Sequence, residues 1–74
     1  MKQKVLSIIN EIRAAKSLDA IAELKENTLL REELGLTSFD LAELTVKLED
    51  EFDIDIFEDG LVSTIGEIYA KLSK

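Results

Sequence analysis

Residues 34–52 read LGLTSFDLAELTVKLEDEF, the longest periodic segment of the chain. Thr37-Ser38-Phe39-Asp40 has the [ST]-x-x-[DE] spacing of a helix N-terminus, in which the Thr37 oxygen accepts a free backbone N–H and the Asp40 carboxylate reaches back to the cap. Ser38 then stands at the first helical position. Gly35, just upstream, can turn sharply without a Cβ clash. At about 100° per residue, Leu41, Leu44, Thr45, Leu48 and Phe52 fall on one stripe, the pattern of a helix face buried in a core. The segment is read as the central helix of the fold.

Its opposite face is unusual. Phe39 and Val46 lie nearly opposite the leucine stripe, with Ala42 at their shoulder and Glu43, Glu49 and Asp50 interleaved. Single exposed apolar side chains are common and need no explanation. Here they align and are flanked by acids, which points to a partner-docking surface of Phe39, Asp40, Ala42, Glu43, Val46, Glu49 and Asp50.

At these residues the chain resembles the acyl carrier and peptidyl carrier proteins. That family marks its attachment site with Asp-Ser-Leu at the start of a central helix, followed by an acidic amphipathic run. The corresponding residues here are Thr37-Ser38-Phe39, then Asp40-Leu41-Ala42-Glu43-Leu44 and Leu48-Glu49-Asp50-Glu51-Phe52. Leu29-Leu30-Arg31-Glu32-Glu33-Leu34-Gly35 resembles the segment that leads into the site. The resemblance is firm over roughly residues 28–72 and loose before that. It implies phosphopantetheine, donated by coenzyme A, on Ser38 through a phosphodiester, with an acyl group held as a thioester at the far end. It also implies a phosphopantetheinyl transferase and acyl- or aminoacyl-transferring enzymes with basic docking patches as partners. Thr37 departs from the family's Asp and Phe39 from its Leu, which favours a specialised carrier in fatty acid, polyketide or peptide-type synthesis over the housekeeping fatty acid one.

Composition narrows the function independently. With 74 residues the chain is read as one domain, 1–74, and at this size a single core rarely supplies more than about 3–5 kcal/mol net. It has no cysteine and no histidine, so thiolate and imidazole metal sites, disulfides and a neutral-pH proton shuttle are excluded. What chemistry remains is carboxylate chemistry or a serine without a recognisable base, so no catalytic residue is assigned and an autonomous enzyme is not expected. The net charge of −7 is unevenly placed: residues 1–37 carry six cations and six anions, whereas residues 38–74 carry three and ten. An acidic half of this kind repels nucleic acid and anionic lipid and steers towards basic protein patches. The N-terminal apolar run is short and interrupted by Asn10, Glu11 and Arg13, so neither a signal peptide nor a membrane span is read there. A cytoplasmic, free-standing monomer is expected.

The remaining chain fills out the fold. Val5, Ile8, Ile9 and Ile12 predict a first helix of roughly Lys2 to Lys16. From Ser17 to Leu36 the signal is mixed. Leu18, Ile21 and Leu24 could line a short helix capped by Ser17, but Asn27-Thr28 breaks the pattern, and a long connection lying against the bundle is expected. The alternating acids of Asp53-Ile54-Asp55-Ile56-Phe57-Glu58-Asp59-Gly60 invite a calcium-loop reading. With Gly60 at the sixth loop position, however, Phe57 and Gly66 occupy two ligand positions, so no metal site is assigned. Glu58 to Val62 predicts a short extra helical turn weakened by Gly60. Thr64-Ile65-Gly66-Glu67 is a capping box opening a last helix with Ile65, Ile68, Tyr69 and Leu72 inward and Lys71 and Lys74 near the negative end of its dipole. The fold predicted is an all-α, small up-and-down bundle of three main helices plus a short extra helix.

A serine at a helix start is most often a cap. Thr37 already fills that role, which leaves the Ser38 hydroxyl free to point outward. Two other readings compete with a carrier of acyl groups: a D-alanyl or aminoacyl carrier, and an acidic helical module that binds a basic partner through Phe39, Ala42 and Val46 without ever receiving a prosthetic group.

Overall fold

Among the described residues the regular structure is three helices, α1 (Lys2–Ala15), α2 (Ser38–Phe52) and α3 (Ile65–Leu72). The computed structural model describes residues 1–58, 60 and 62–73. Val5, Ile8, Ile9 and Ile12 of α1 are all buried, as their spacing predicts. Leu44 and Leu48 of α2 are fully buried, while Leu41 and Phe52 at either end of the same stripe are half-buried against the core. The two long helices run antiparallel, because Lys4 meets Glu51 at 3.5 Å, Glu11 meets Lys47 at 3.7 Å and Lys16 meets Asp40 at 2.5 Å. The first two pairs are exposed at the surface and of a kind worth about 0–1 kcal/mol each.

The connection after α1 does not form the short helix that Leu18, Ile21 and Leu24 could have lined. Ser17 adopts φ 63 and turns the chain back on itself. Asn10 then pins the next stretch of backbone, donating from Nδ2 to the Ile21 carbonyl at 3.0 Å and accepting the Ile21 N–H at 2.7 Å. A helix would have bonded that amide to its own chain four residues back. Ile21 and Leu24 pack partly against the core, while Leu18 remains exposed. Leu30, Leu34 and Leu36 are buried completely or nearly so, so this long connection supplies core that three helices alone do not.

Arg13 is buried although it sits among the polar positions of α1. Its guanidinium donates to the Leu34 and Asp19 carbonyls at 2.5 and 3.0 Å, so its burial is compensated by hydrogen bonds. Gly35, at φ 71, makes the left-handed turn that brings Leu36 inward and Thr37 to the helix start.

After α2 the chain leaves through Asp53 in the left-handed conformation. Ile56 is fully buried, and Ile54 and Phe57 pack partly against the core. The extra helix expected from Glu58 to Val62 is not found among the described residues. Glu58 and Gly60 donate to the Asp55 and Phe57 carbonyls, closing two successive turns, and Gly60 at φ 128 departs from helical geometry. Asp59 and Leu61 of that stretch, and Lys74 at the end of the chain, lie outside the described residues.

α3 begins with both halves of the predicted capping box in place: the Thr64 hydroxyl accepts the Glu67 N–H at 3.3 Å, and the Glu67 carboxylate accepts the Thr64 N–H at 3.1 Å. The Ser63 N–H reaches the same carboxylate and, ahead of Thr64, holds its pKa below the ordinary 4.5. The start of α3 is tied to the long connection by an isolated antiparallel bridge, Leu29 to Thr64, with Leu30 N–H donating to Ser63 and Ile65 N–H donating to Thr28. Gly66 N–H donates to the Glu26 carbonyl at 2.8 Å. A Cβ at Gly66 would lie 2.9 Å from that same oxygen. Gly66→Ala should therefore lower Tm by forcing the two backbones apart, at a cost of about 1–3 kcal/mol, as for other overpacking changes. Thermal unfolding followed by circular dichroism checks this, and an unchanged Tm would show that the strap yields freely.

Candidate functional site

The site is built on the first turn of α2. Thr37 is extended, at φ −83 and ψ 174, and caps the helix. Its hydroxyl accepts the Asp40 N–H at 3.2 Å, and Asp40 Oδ2 accepts the Thr37 N–H at 2.9 Å. The box closes around Ser38 without using it. Ser38 is exposed, and its hydroxyl makes no hydrogen bond to the described protein atoms. The backbone N–H groups of Ser38 and Phe39 precede the first intrahelical bond, which Leu41 N–H makes to Thr37. An oxyanion attached to Ser38 would meet those free donors and the positive end of the helix dipole. The residues present thus fit a phosphodiester at this position.

Asp40 does not stand where the sequence pattern put it. Grouped there with the exposed docking residues, it is only 7% exposed, its carboxylate turned inward to the cap and to Lys16. Lys16 first, then the Thr37 N–H, hold this carboxyl below its ordinary 3.8, against burial, which pushes it up. The other residues of that set fall on or beside the solvent face: Phe39 is 79% and Val46 66% exposed, Ala42, Glu49 and Asp50 are exposed, and Glu43 is half-buried.

A feature that the periodic pattern did not disclose opens on the other side of Ser38. A cleft of about 560 Å³ is walled by Leu29, Leu41, Ala42, Phe57 and Val62, with Ser38, Arg31, Glu32 and Ser63 supplying its polar groups. Leu41 is half-buried because it faces this cleft as well as the core. The signal available in the sequence was its spacing: Leu41 stands three residues after Ser38, one turn along the same side of the helix. The acids after α2 have local duties instead. Asp53 is the left-handed cap, and Asp55 Oδ1 accepts the Phe57 N–H at 2.9 Å.

The domain is all-α, with an exposed serine at the first position of its central helix. Residues 3–72 match the family described as "Phosphopantetheine attachment site". The chain is 34% identical over 67 residues to the acyl carrier protein of Prochlorococcus marinus (strain MIT 9515), covering 88% of this chain and 79% of that protein. It is 28% identical over 71 residues to the acyl carrier protein of an Exiguobacterium species, covering 93% and 90%. The chain belongs to the acyl carrier protein family, whose prosthetic group is covalently attached phosphopantetheine. Among the described residues no helix is long and apolar enough to cross a membrane.

Asp40 couples the start of α2 to pH. Its folded pKa is depressed, so its contribution to stability is complete above the ordinary value of 3.8 and is lost as pH falls from there through the folded value. Asp40→Asn keeps an acceptor for Thr37 but removes the charge. It should lower Tm at neutral pH and flatten the acid limb of a plot of Tm against pH; an acid limb identical to that of the unsubstituted protein would assign acid unfolding to other carboxylates.

Proposed function

We propose that this single domain, residues 1–74, carries acyl groups on a phosphopantetheine arm attached to Ser38 and presents them to partner enzymes, without catalysing a reaction itself. The observation that carries this reading is the exposed Ser38 hydroxyl, left unused at the first position of α2 because Thr37 and Asp40 complete the cap between them. In the attachment step Ser38 Oγ attacks a phosphorus of the coenzyme A diphosphate. A new Ser–O–P bond forms, the diphosphate bridge breaks, the adenosine bisphosphate leaves with the electron pair, and the hydroxyl proton passes to the transferase. Once bound, the arm supplies a terminal thiol that holds cargo as a thioester. Around the phosphodiester, the free N–H groups of Ser38 and Phe39 and the helix dipole contribute about 0.3–1 kcal/mol at a solvated site.

The apolar walls of the cleft favour acyl over aminoacyl cargo. Phe39, Ala42 and Val46 form the docking face, with Glu43, Glu49 and Asp50 as its acidic flank. The complementary patch on a phosphopantetheinyl transferase or an acyl-handling enzyme is basic, and contact must be weak enough to release. Dependence on coenzyme A and its transferase supports a cytoplasmic setting.

Incubation with a broad-range phosphopantetheinyl transferase and coenzyme A should add one phosphopantetheine to the intact mass. Ser38→Ala should abolish that gain with helicity unchanged, since Thr37 keeps the cap. Gain persisting in Ser38→Ala, or mapping to Ser63 or Thr64, would refute the site; no gain in the unsubstituted protein would favour the non-covalent acidic module.

For the docking face, Phe39→Ala and Val46→Ala should cost well under the ~2–5 kcal/mol of emptying a core position while raising the transferase KM. A large fall in Tm with KM unchanged would make these side chains structural and the patch would have to be abandoned.

A further inference from the structure

The last turns of α1 send two cations across the molecule to the segment that leads into α2. Arg13 holds the Leu34 carbonyl at 2.5 Å, and Lys16 Nζ donates to the Gly35 carbonyl at 2.8 Å and to Asp40 Oδ2 at 2.5 Å. These grips fall at positions 34, 35 and 40, on both sides of Ser38, and leave the serine itself untouched. We propose that Lys16 is a positioning residue for Ser38: by locking the Asp40 carboxylate inward it keeps the capping box shut and the serine hydroxyl presented for arm attachment. The proposal rests on Ser38 being the attachment point.

One oxygen decides the geometry of the turn. Asp40 Oδ2 accepts from both Thr37 N–H and Lys16 Nζ. A carboxylate turned inward and left 7% exposed is costly to hold there unless it is paired. Without the ammonium, the carboxylate gains by rotating out to water, which strips Thr37 N–H of its acceptor and opens the first turn of α2. Helix ends are where local opening is cheapest, and Ser38 stands in that turn. The Phe39 and Val46 face is not touched by Lys16, so docking and presentation are separable. The Lys4–Glu51 pair joins the same two helices at the far end of α2 and provides a control.

The test is arm-transfer kinetics, followed by intact mass, together with amide exchange on the unmodified protein. Misplacing a nucleophile by about 1 Å can cost on the order of 100-fold, so a fall in kcat of about tenfold or more is expected for Lys16→Met, with KM little changed. Exchange should accelerate at Thr37 and Asp40, whose N–H groups the capping box holds, more than along the rest of the three helices. Lys16→Arg, which keeps a cation and several donors, should restore kcat. Lys16→Met combined with Asp40→Asn should recover much of the loss, because a neutral amide can cap Thr37 without a cation. Lys4→Met should leave kcat as it was. The proposal is overturned if folded Lys16→Met is modified at the unsubstituted rate, or if its exchange rises uniformly along the chain in step with Tm. Should Lys16→Met fail to fold, the double variant decides: folding with near-native kcat supports the pairing, and kcat still depressed tenfold overturns it. Absence of any mass gain in the unsubstituted protein would remove the attachment reading instead, and the exchange pattern would still decide whether Lys16 holds the turn.

Discussion

One carboxylate joins the parts of this domain that matter. Asp40 Oδ2 takes hydrogen bonds from Thr37 N–H at 2.9 Å and from Lys16 Nζ at 2.5 Å, and Lys16 also reaches the Gly35 carbonyl. The end of α1, the glycine turn and the start of α2 therefore meet at a single buried charge. Net gains from such pairs are modest, since desolvation offsets much of the attraction, but breaking one partner away is costly. This asymmetry suits a site that has to keep one geometry while partners come and go.

Around that junction α2 is used on three sides. Leu44 and Leu48 enter the core, Leu41 and Ala42 wall the cleft beside Ser38, and Phe39 and Val46 face water. A helix that buries one stripe ordinarily shows solvent a polar remainder. Here the solvent side keeps two large apolar groups, Phe39 and Val46, among acids. The charge is concentrated where the candidate site is, since the ten acids of residues 38–74 meet only three cations in that half.

The core shows how a short chain manages with three helices. The connection between α1 and α2 contributes Leu30, Leu34 and Leu36, and the stretch after α2 contributes Ile56 and Val62. Irregular segments can be buried only if their backbone groups find partners. The bridge between residues 28–30 and 63–65, the Gly66 contact with Glu26, and the Arg13 and Asn10 side chains provide them.

The three helices and their starts were legible in the sequence because caps and periodicity are local. Thr37 with Asp40 and Thr64 with Glu67 act within one turn, and the spacing of Val5, Ile8, Ile9 and Ile12 specifies a face without reference to the rest of the chain. The exposure of Phe39 and Val46 could be read for the same reason: two stripes on opposite sides of one helix cannot both enter one small core. The course of residues 17–36 could not be read this way, since Asn10 claims the Ile21 backbone from eleven residues away and the local pattern carries no trace of it. Nor could the burial of Arg13 and Asp40, or the cleft, which is assembled from Leu29, Leu41, Phe57 and Val62 across three stretches of chain. Asp40 is the sharpest case. As a helix N-cap partner it was predictable, but whether its charge faced a docking enzyme or the protein interior depended on Lys16, twenty-four residues earlier, and only the packing of α1 against α2 brings the two together.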